Sequence, residues 1–266
     1  MSQNVVPMLV TFDGEARSGK GTIVQATKDF LRDTCGLRTM LIDRGQTFRV
    51  LVVAASRAGV DLDDPAAIDA FLADETNIAE CVQFVKDVYH MTKDERDSLL
   101  YTDRIGRDSA KVGARPSSQV FVADLTKKWL HDAGAEGYQA VLVDGRALEA
   151  IAREMHNEAL CDYRLGLYFI CDATMGARRT LGFAATPYAQ LSPEDQARVD
   201  DFVVQIRERN QRDFDRVVER LAPPSDAKTY CLPNMPEVSG AERPMVIVDT
   251  SAELTKEQMS RPVAEY

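Results

Sequence analysis

Residues 8–22, MLVTFDGEARSGKGT, constrain the fold more tightly than any other part of the chain. The apolar run Met8-Leu9-Val10-Thr11-Phe12 stops at Asp13-Gly14, and from Lys20 to about Arg32 the apolar residues Ile23, Val24, Ala26, Phe30 and Leu31 recur at helical spacing. Between these two patterns Gly14 to Lys20 has the spacing G-x-x-x-x-G-K. A glycine-rich loop between a strand and a helix surrounds a polyphosphate with backbone N–H groups and the positive end of the helix dipole. Gly14, Ser18, Gly19, Lys20, Gly21 and Thr22 are therefore the candidate triphosphate-binding residues, with Lys20 against the β and γ phosphates. A hydroxyl residue ordinarily follows the lysine; here Gly21 intervenes and Thr22 supplies the hydroxyl one position later. The competing reading, an incidental turn, is disfavoured by the strand and helix on either side. Glu15 would repel phosphates, so its side chain is expected to face solvent or pair with Arg17.

The same alternation continues. Strands are expected at 39–42, 140–143, 167–170 and 245–248, and helices at 48–57 and, behind a Ser192/Asp195 capping box, at 193–221. Apolar strands alternating with helices predict a mainly parallel sheet covered on both faces. Asp13, Asp43, Asp144, Asp172 and Asp249 would line its carboxyl edge, where open α/β sheets bind ligands. Residues 60–115 interrupt the pattern, with possible short strands at 82–85 and 88–91, and residues 182–193 read as a lid-like loop. Residues 222–244, with five prolines, read as a loop before the last strand. One domain is expected: core 5–59, 116–181 and 194–262, an acceptor-binding insertion at 60–115 and a lid at 182–193.

Composition narrows the function classes. A net charge of -10 argues against general affinity for polymeric nucleic acid, whereas a few converging arginines can still hold a small anion. The five cysteines are scattered without a CxxC pair, which suggests neither a disulfide framework nor a zinc site. No apolar run approaches the ~20 residues that span a bilayer. A cytoplasmic monomer without membrane contact is expected.

Two more motifs carry charge to the predicted edge. Asp144-Gly145-Arg146 follows an expected strand, so Arg146 would project into the same edge as the glycine-rich loop with a donor fork suited to phosphate, although on the tripeptide alone a strand-end turn with a solvated arginine is the plainer reading. In RERNQRDFDR, residues 207–216, Arg209, Arg212, Asp213 and Arg216 share one helix face. An exposed, salt-bridged helix is the plain reading. The alternative is a set of arginines that neutralise a transferring phosphoryl group.

These segments, in this order, resemble the bacterial cytidylate (CMP/dCMP) kinase family of the nucleoside monophosphate kinases, over nearly the whole chain. VTFDGEARSGKGT resembles its opening strand and phosphate loop, LIDRGQTFRVLVVAA its Leu-Asp-Ser-Gly-x-x-Tyr-Arg segment, IGRDSAKVGARPSSQV the segment after its insertion, and VLVDGRALEAIA its Asp-Gly-Arg-Asp turn. LYFICDATMGARR, IRERNQRDFDR and MVIVDTSAELTKEQ resemble its strand into the lid, its Arg/Asp helix and its last strand and helix. The resemblance implies a three-layer α/β P-loop kinase fold with a five-stranded parallel sheet, and phosphoryl transfer from ATP to a small nucleotide with Mg²⁺. It places Lys20 and Thr22 at ATP and Mg²⁺, with Arg178 near the adenine. Lys20, Arg146, Arg209, Asp213 and Arg216 are implied as catalytic, and Asp43, Arg44, Arg49, Ser109, Gln119, Asp144, Arg146 and Arg212 as acceptor-binding.

The acceptor half departs from that pattern. Its Ser before the Gly is Arg44 here, its Tyr is Phe48, its middle-segment Ser falls on Ala110 beside Ser109, its base-reading Arg falls near Gln119, and the Asp after Asp-Gly-Arg is Ala147. Leu181 and Gly182 stand where paired basic residues follow Arg178, and Tyr101 stands near an expected basic residue. A site built to hydrogen-bond a base changes its discrimination when those groups change. CMP or dCMP is the default acceptor. A modified pyrimidine nucleotide or other phosphorylated metabolite is the alternative, and a nucleotide-binding module without catalysis is a third reading.

Overall fold

The structure is a computed structural model that describes residues 5–216, 220–235 and 245–266. Its described residues fall into two compact units, one running to Ile42 and resuming at Leu130, the other Asp43–Trp129.

The first unit is an α/β sheet flanked by helices. Its strands are β1 (Met8–Gly14), β2 (Thr39–Asp43, whose last residue opens the second unit), β3 (Ala140–Asp144), β4 (Asp162–Ile170), β5 (Lys228–Cys231) and β6 (Met245–Asp249). They lie in the order β2-β3-β1-β4-β6-β5. β1 runs parallel to β3 and β4, and β6 parallel to β4 and β5. All four apolar residues of β3 are buried, the pattern of a strand covered on both faces. The helices of this unit are α1 (Lys20–Asp33), α8 (Leu148–Asn157), α9 (Ala173–Thr180), α10 (Pro193–Phe214) and α11 (Lys256–Glu265). Ile23 and Val24 of α1 share a core with Phe12, Leu142, Phe169, Val246, Val248 and Met259 of α11. Val199, Val203 and Ile206 of α10, spaced by four and three, pack with Ala177 of α9 and Leu191.

The second unit is helical: α2 (Arg44–Arg57), α3 (Pro65–Ala73), α4 (Glu75–His90), α5 (Lys93–Leu100), α6 (Asp103–Gly113) and the start of α7 (Pro116–Ala135). Most of these helices start at an Asp or Thr cap: Asp43, Asp64, Asp74, Thr92 and Thr102 each accept a first-turn N–H. Leu51, Val52, Ile68, Phe71 and Val112 form one core cluster, and Val50, Val85, Val88, Leu100 and Leu125 another.

The five expected strands are present, and three expectations change. The sheet has six strands among the described residues: β5 lies at an edge inside the segment read as a loop, and its largely exposed residues give no apolar alternation to signal it. Residues 82–85 and 88–91 form no strand; 82–90 belong to α4, where Cys81, Val85 and Val88 make one buried face under an Asp74 cap. The long helix stops at Phe214; 217–219 of the rest of its expected span lie outside the described residues, as do 236–244 of the expected loop. Residues 182–193 contain turns and a single 3-10 turn at Tyr188–Gln190. Among the described residues, no helix is long and apolar enough to cross a membrane.

Candidate active site

The loop from Gly14 to Lys20 is fixed from several sides of the first unit. Gly14 has φ +127°, and a Cβ there would lie 2.2 Å from the carbonyl oxygen of Phe169 on β4. Only glycine fits that approach. The Glu15 N–H donates to Phe169 O (2.9 Å), the Ala16 N–H to Asn210 Oδ1 of α10 (2.8 Å), and the buried Thr250 hydroxyl to Ser18 O (2.8 Å). Ser18 donates to Glu15 O (2.9 Å), so its hydroxyl holds the loop's shape. Gly19, at φ +83°, then hands the chain to α1, whose first turn carries Lys20, Gly21 and an exposed Thr22. The first N–H groups of a helix have no intrahelical acceptor and favour an anion.

At the mouth of this loop the first unit carries a chain of charges. Lys20 Nζ pairs with Asp144 at the end of β3 and donates to Gly145 O (3.3 Å). The next residue, Arg146, pairs with Asp213 of α10, and Arg216 Nη2 lies 3.0 Å from the other Asp213 oxygen. Asp213 is only 3% exposed, so its carboxylate is held by the two guanidinium groups rather than by water. Three cations thus share two carboxylates in a run that starts from Lys20 of the glycine-rich loop. Arg209 and Arg212, on the same helix, are exposed.

Asp13, one of the aspartates expected along the carboxyl edge, has a structural task there. Its side chain accepts from Gly14 N (2.6 Å) and from Leu148 N (3.0 Å), which caps α8 from β1. Ala147, the N-cap residue of α8, has φ +51° and offers no side-chain cap. Burial pushes the Asp13 carboxyl above its ordinary range, opposed by these two N–H groups and by the charges of Lys20 and Arg146. Thr250 and Asn210 were also not singled out as site residues; Asn210 stands inside the quoted RERNQRDFDR segment, but neither has a motif that marks a loop anchor.

Glu15 does not simply face solvent. It is half-buried, Oε2 accepts from Cys171 N at 3.5 Å, and burial raises its carboxyl, with Asp249 adding to the rise. Arg17 is exposed, and its guanidinium lies 5.4 Å from the Phe202 ring. The buried Arg178 pairs with Glu253 (2.8 Å) and donates to Ala184 O (3.3 Å), linking α9 to the segment after it and to the loop before α11.

The remaining candidates lie in the second unit. Asp43 caps α2 through Gln46 N (2.9 Å), and Arg44 is buried at the start of that helix. Arg49, on α2, places its guanidinium carbon 4.3 Å from the centre of the Tyr101 ring. Burial first, then Asp43, pushes the Tyr101 hydroxyl up to about 12. Ser109 donates to Gly106 O (3.0 Å) within α6. Gln119 is buried on α7, its Nε2 donating to Gly113 O while Oε1 has no partner among the described residues.

No family model matches the chain. Its sequence is 30% identical over 230 residues to a cytidylate kinase of Pseudomonas aeruginosa strain LESB58, covering 84% of this chain and 86% of the relative. A cytidylate kinase of Bordetella pertussis is 25% identical over 222 residues, 82% and 85% of the two chains, and one of Stutzerimonas stutzeri 26% over 226 residues, 82% and 85%. A solved chain from Chloroflexus aurantiacus aligns over 98% of both chains at 13% identity with a TM-score of 0.37, too low a likeness to bear on the fold. The parallel sheet, the glycine-rich loop and these relatives define a kinase-like phosphotransferase of the P-loop class. Within that class, the chain belongs to the cytidylate kinase family. Membership carries kinase-like phosphoryl transfer, not a particular acceptor.

Proposed function

We propose that this protein transfers the γ-phosphoryl group of ATP to a pyrimidine nucleoside monophosphate, with CMP or dCMP as the default acceptor. The observation that carries the reading is the run Lys20, Asp144, Arg146, Asp213 and Arg216 beside the Gly14–Thr22 loop. Phosphoryl transfer asks little covalent chemistry of a protein; it asks for positioning and for charge where the transferring group spreads its own. In this reading the loop amides and Lys20 bind the β and γ phosphates, and Lys20 exchanges Asp144 for phosphate oxygens. Arg146 and Arg216, kept in place by Asp213, meet the transferring group, and Arg209 and Arg212 on the exposed part of α10 add charge. Arg178 orients the donor base, residues 182–193 limit water access, and Asp43, Arg44, Arg49, Ser109 and Gln119 form the acceptor side.

Mg²⁺ carried by a nucleotide needs only one or two protein oxygens, because phosphates and water complete its shell. The exposed Thr22 hydroxyl and the Asp144 carboxylate are such a sparse set, and Thr22 is the residue proposed to hold the ion. Bound there, Mg²⁺ would neutralise the phosphate charge that these side chains leave uncovered.

A second reading, a modified pyrimidine nucleotide as acceptor, is favoured by Gln119. Its NH₂ must be the group facing Gly113 O, because only that end donates, so the buried Oε1 is the end left without a partner among the described residues. Where the family pattern has an arginine that can only donate, this chain presents an acceptor, so the edge of the base that the arginine would read meets different chemistry here. Coupled measurement of ADP release with CMP, dCMP, dUMP and 5-methyl-dCMP separates the readings. Fastest turnover with CMP or dCMP supports the default; preference for a substituted base supports the second reading.

A further inference from the structure

We infer that Tyr101 is the positioning residue that holds Arg49 ready for the acceptor's phosphate. The inference rests on the acceptor reading above and concerns a side chain with no role in it. Arg49 is half-buried on α2, and among the described residues its Nε is buried without a hydrogen-bond partner and it forms no ion pair; its guanidinium carbon lies 4.3 Å from the centre of the Tyr101 ring. A cation over an aromatic face is attracted by the ring quadrupole without being neutralised. A carboxylate in the same place would orient the guanidinium but would occupy its donor fork and compete with an incoming phosphate. The ring does only the first.

Tyr101 is itself well placed for this task. It is the C-cap of α5, its N–H donates to Asp97 O (3.0 Å), and so its backbone is fixed while the side chain remains 43% exposed. Asp43, Arg96 and Asp97 lie within electrostatic reach of its hydroxyl, and the phenol stays neutral near physiological pH. The contact therefore puts one face of the guanidinium on carbon, while among the described residues no carboxylate forms an ion pair with it.

The test is steady-state kinetics with CMP and dCMP at saturating ATP, on Tyr101→Leu, Tyr101→Met and Tyr101→Phe. Loss of the ring is expected to raise the acceptor KM about fivefold, the upper end for a contact partly open to water, with the ATP KM unchanged and kcat reduced far less. Tyr101→Phe, which keeps the ring, is expected to return the acceptor KM to within about twofold of wild type. In the background of Arg49→Ala, Tyr101→Leu should add nothing, because the ring acts through Arg49. An unchanged acceptor KM in active Tyr101→Leu and Tyr101→Met, a parallel rise in both KM values, or full additivity with Arg49→Ala overturns the role of Tyr101 and leaves the kinase reading intact. Absence of turnover by the wild-type protein with any of the monophosphates overturns the acceptor reading, and the role of Tyr101 with it.

Discussion

Asp213→Asn tests the charge network at its most buried point. Asp213 is 3% exposed and its carboxylate carries both Arg146 and Arg216, whose side chains are 18% and 21% exposed. The substitution keeps the shape and one hydrogen-bond acceptor but leaves two nearby guanidinium groups with no counter-charge between them. Breaking a fully buried ion pair by removing one partner costs about 3–5 kcal/mol. Because both arginines keep some water and the amide still accepts, a loss of roughly 2–3 kcal/mol is expected. For a chain of this size that lowers the melting temperature by about 4–12 °C. The assay is thermal unfolding followed by circular dichroism, with and without added phosphate. An anion that replaces the missing carboxylate should recover more stability in Asp213→Asn than in the wild type. If the variant melts within about 1 °C of wild type, or phosphate stabilises the two equally, the argument that Asp213 holds the arginines together is wrong.

Two other substitutions probe the loop. Gly14→Ala places a methyl 2.2 Å from backbone atoms of Phe169 at φ +127°, so urea unfolding should show a loss of roughly 3 kcal/mol or more; stability equal to wild type would refute the close approach. Glu15→Gln should raise the melting temperature at neutral pH, because burial raises the Glu15 carboxyl and makes its charged form costly in the folded state. A carboxyl raised on folding favours the folded state below its unfolded value and loses that benefit as pH rises through the folded value. The gap between variant and wild type should therefore be full above the raised value and close as pH falls below the ordinary carboxyl value; a gap that widens toward acid would contradict this account.

How much of this was readable beforehand depends on the physical signal each feature sends. The loop and its flanks were legible because the glycine spacing sits between a short continuous apolar run and a segment of helical spacing, and Ser192 does cap the long helix through Asp195 N at 3.1 Å. The β-branched Val82, Val85 and Val88 suggested strands, yet their burial follows a helix, since packing decides where propensity is weak. β5 pairs along an edge through its backbone, and backbone pairing leaves little trace in side chains. In the candidate site, the residue types that would gather at the sheet edge were visible. Their partners were not: that Asp13 caps α8 while Ala147 cannot, or that Glu15 turns toward Cys171 N, depends on contacts between segments over 130 residues apart.

The central claim is tested most directly by ADP release from ATP in the presence of CMP or dCMP, for the wild-type protein and for Lys20→Ala confirmed folded by its melting curve. The account predicts acceptor-dependent turnover that falls by about 10² or more when the lysine proposed to bind the β and γ phosphates is removed. Turnover of folded Lys20→Ala equal to that of wild type, or no acceptor-dependent ADP release with either nucleotide or with the substituted pyrimidine monophosphates, would contradict it.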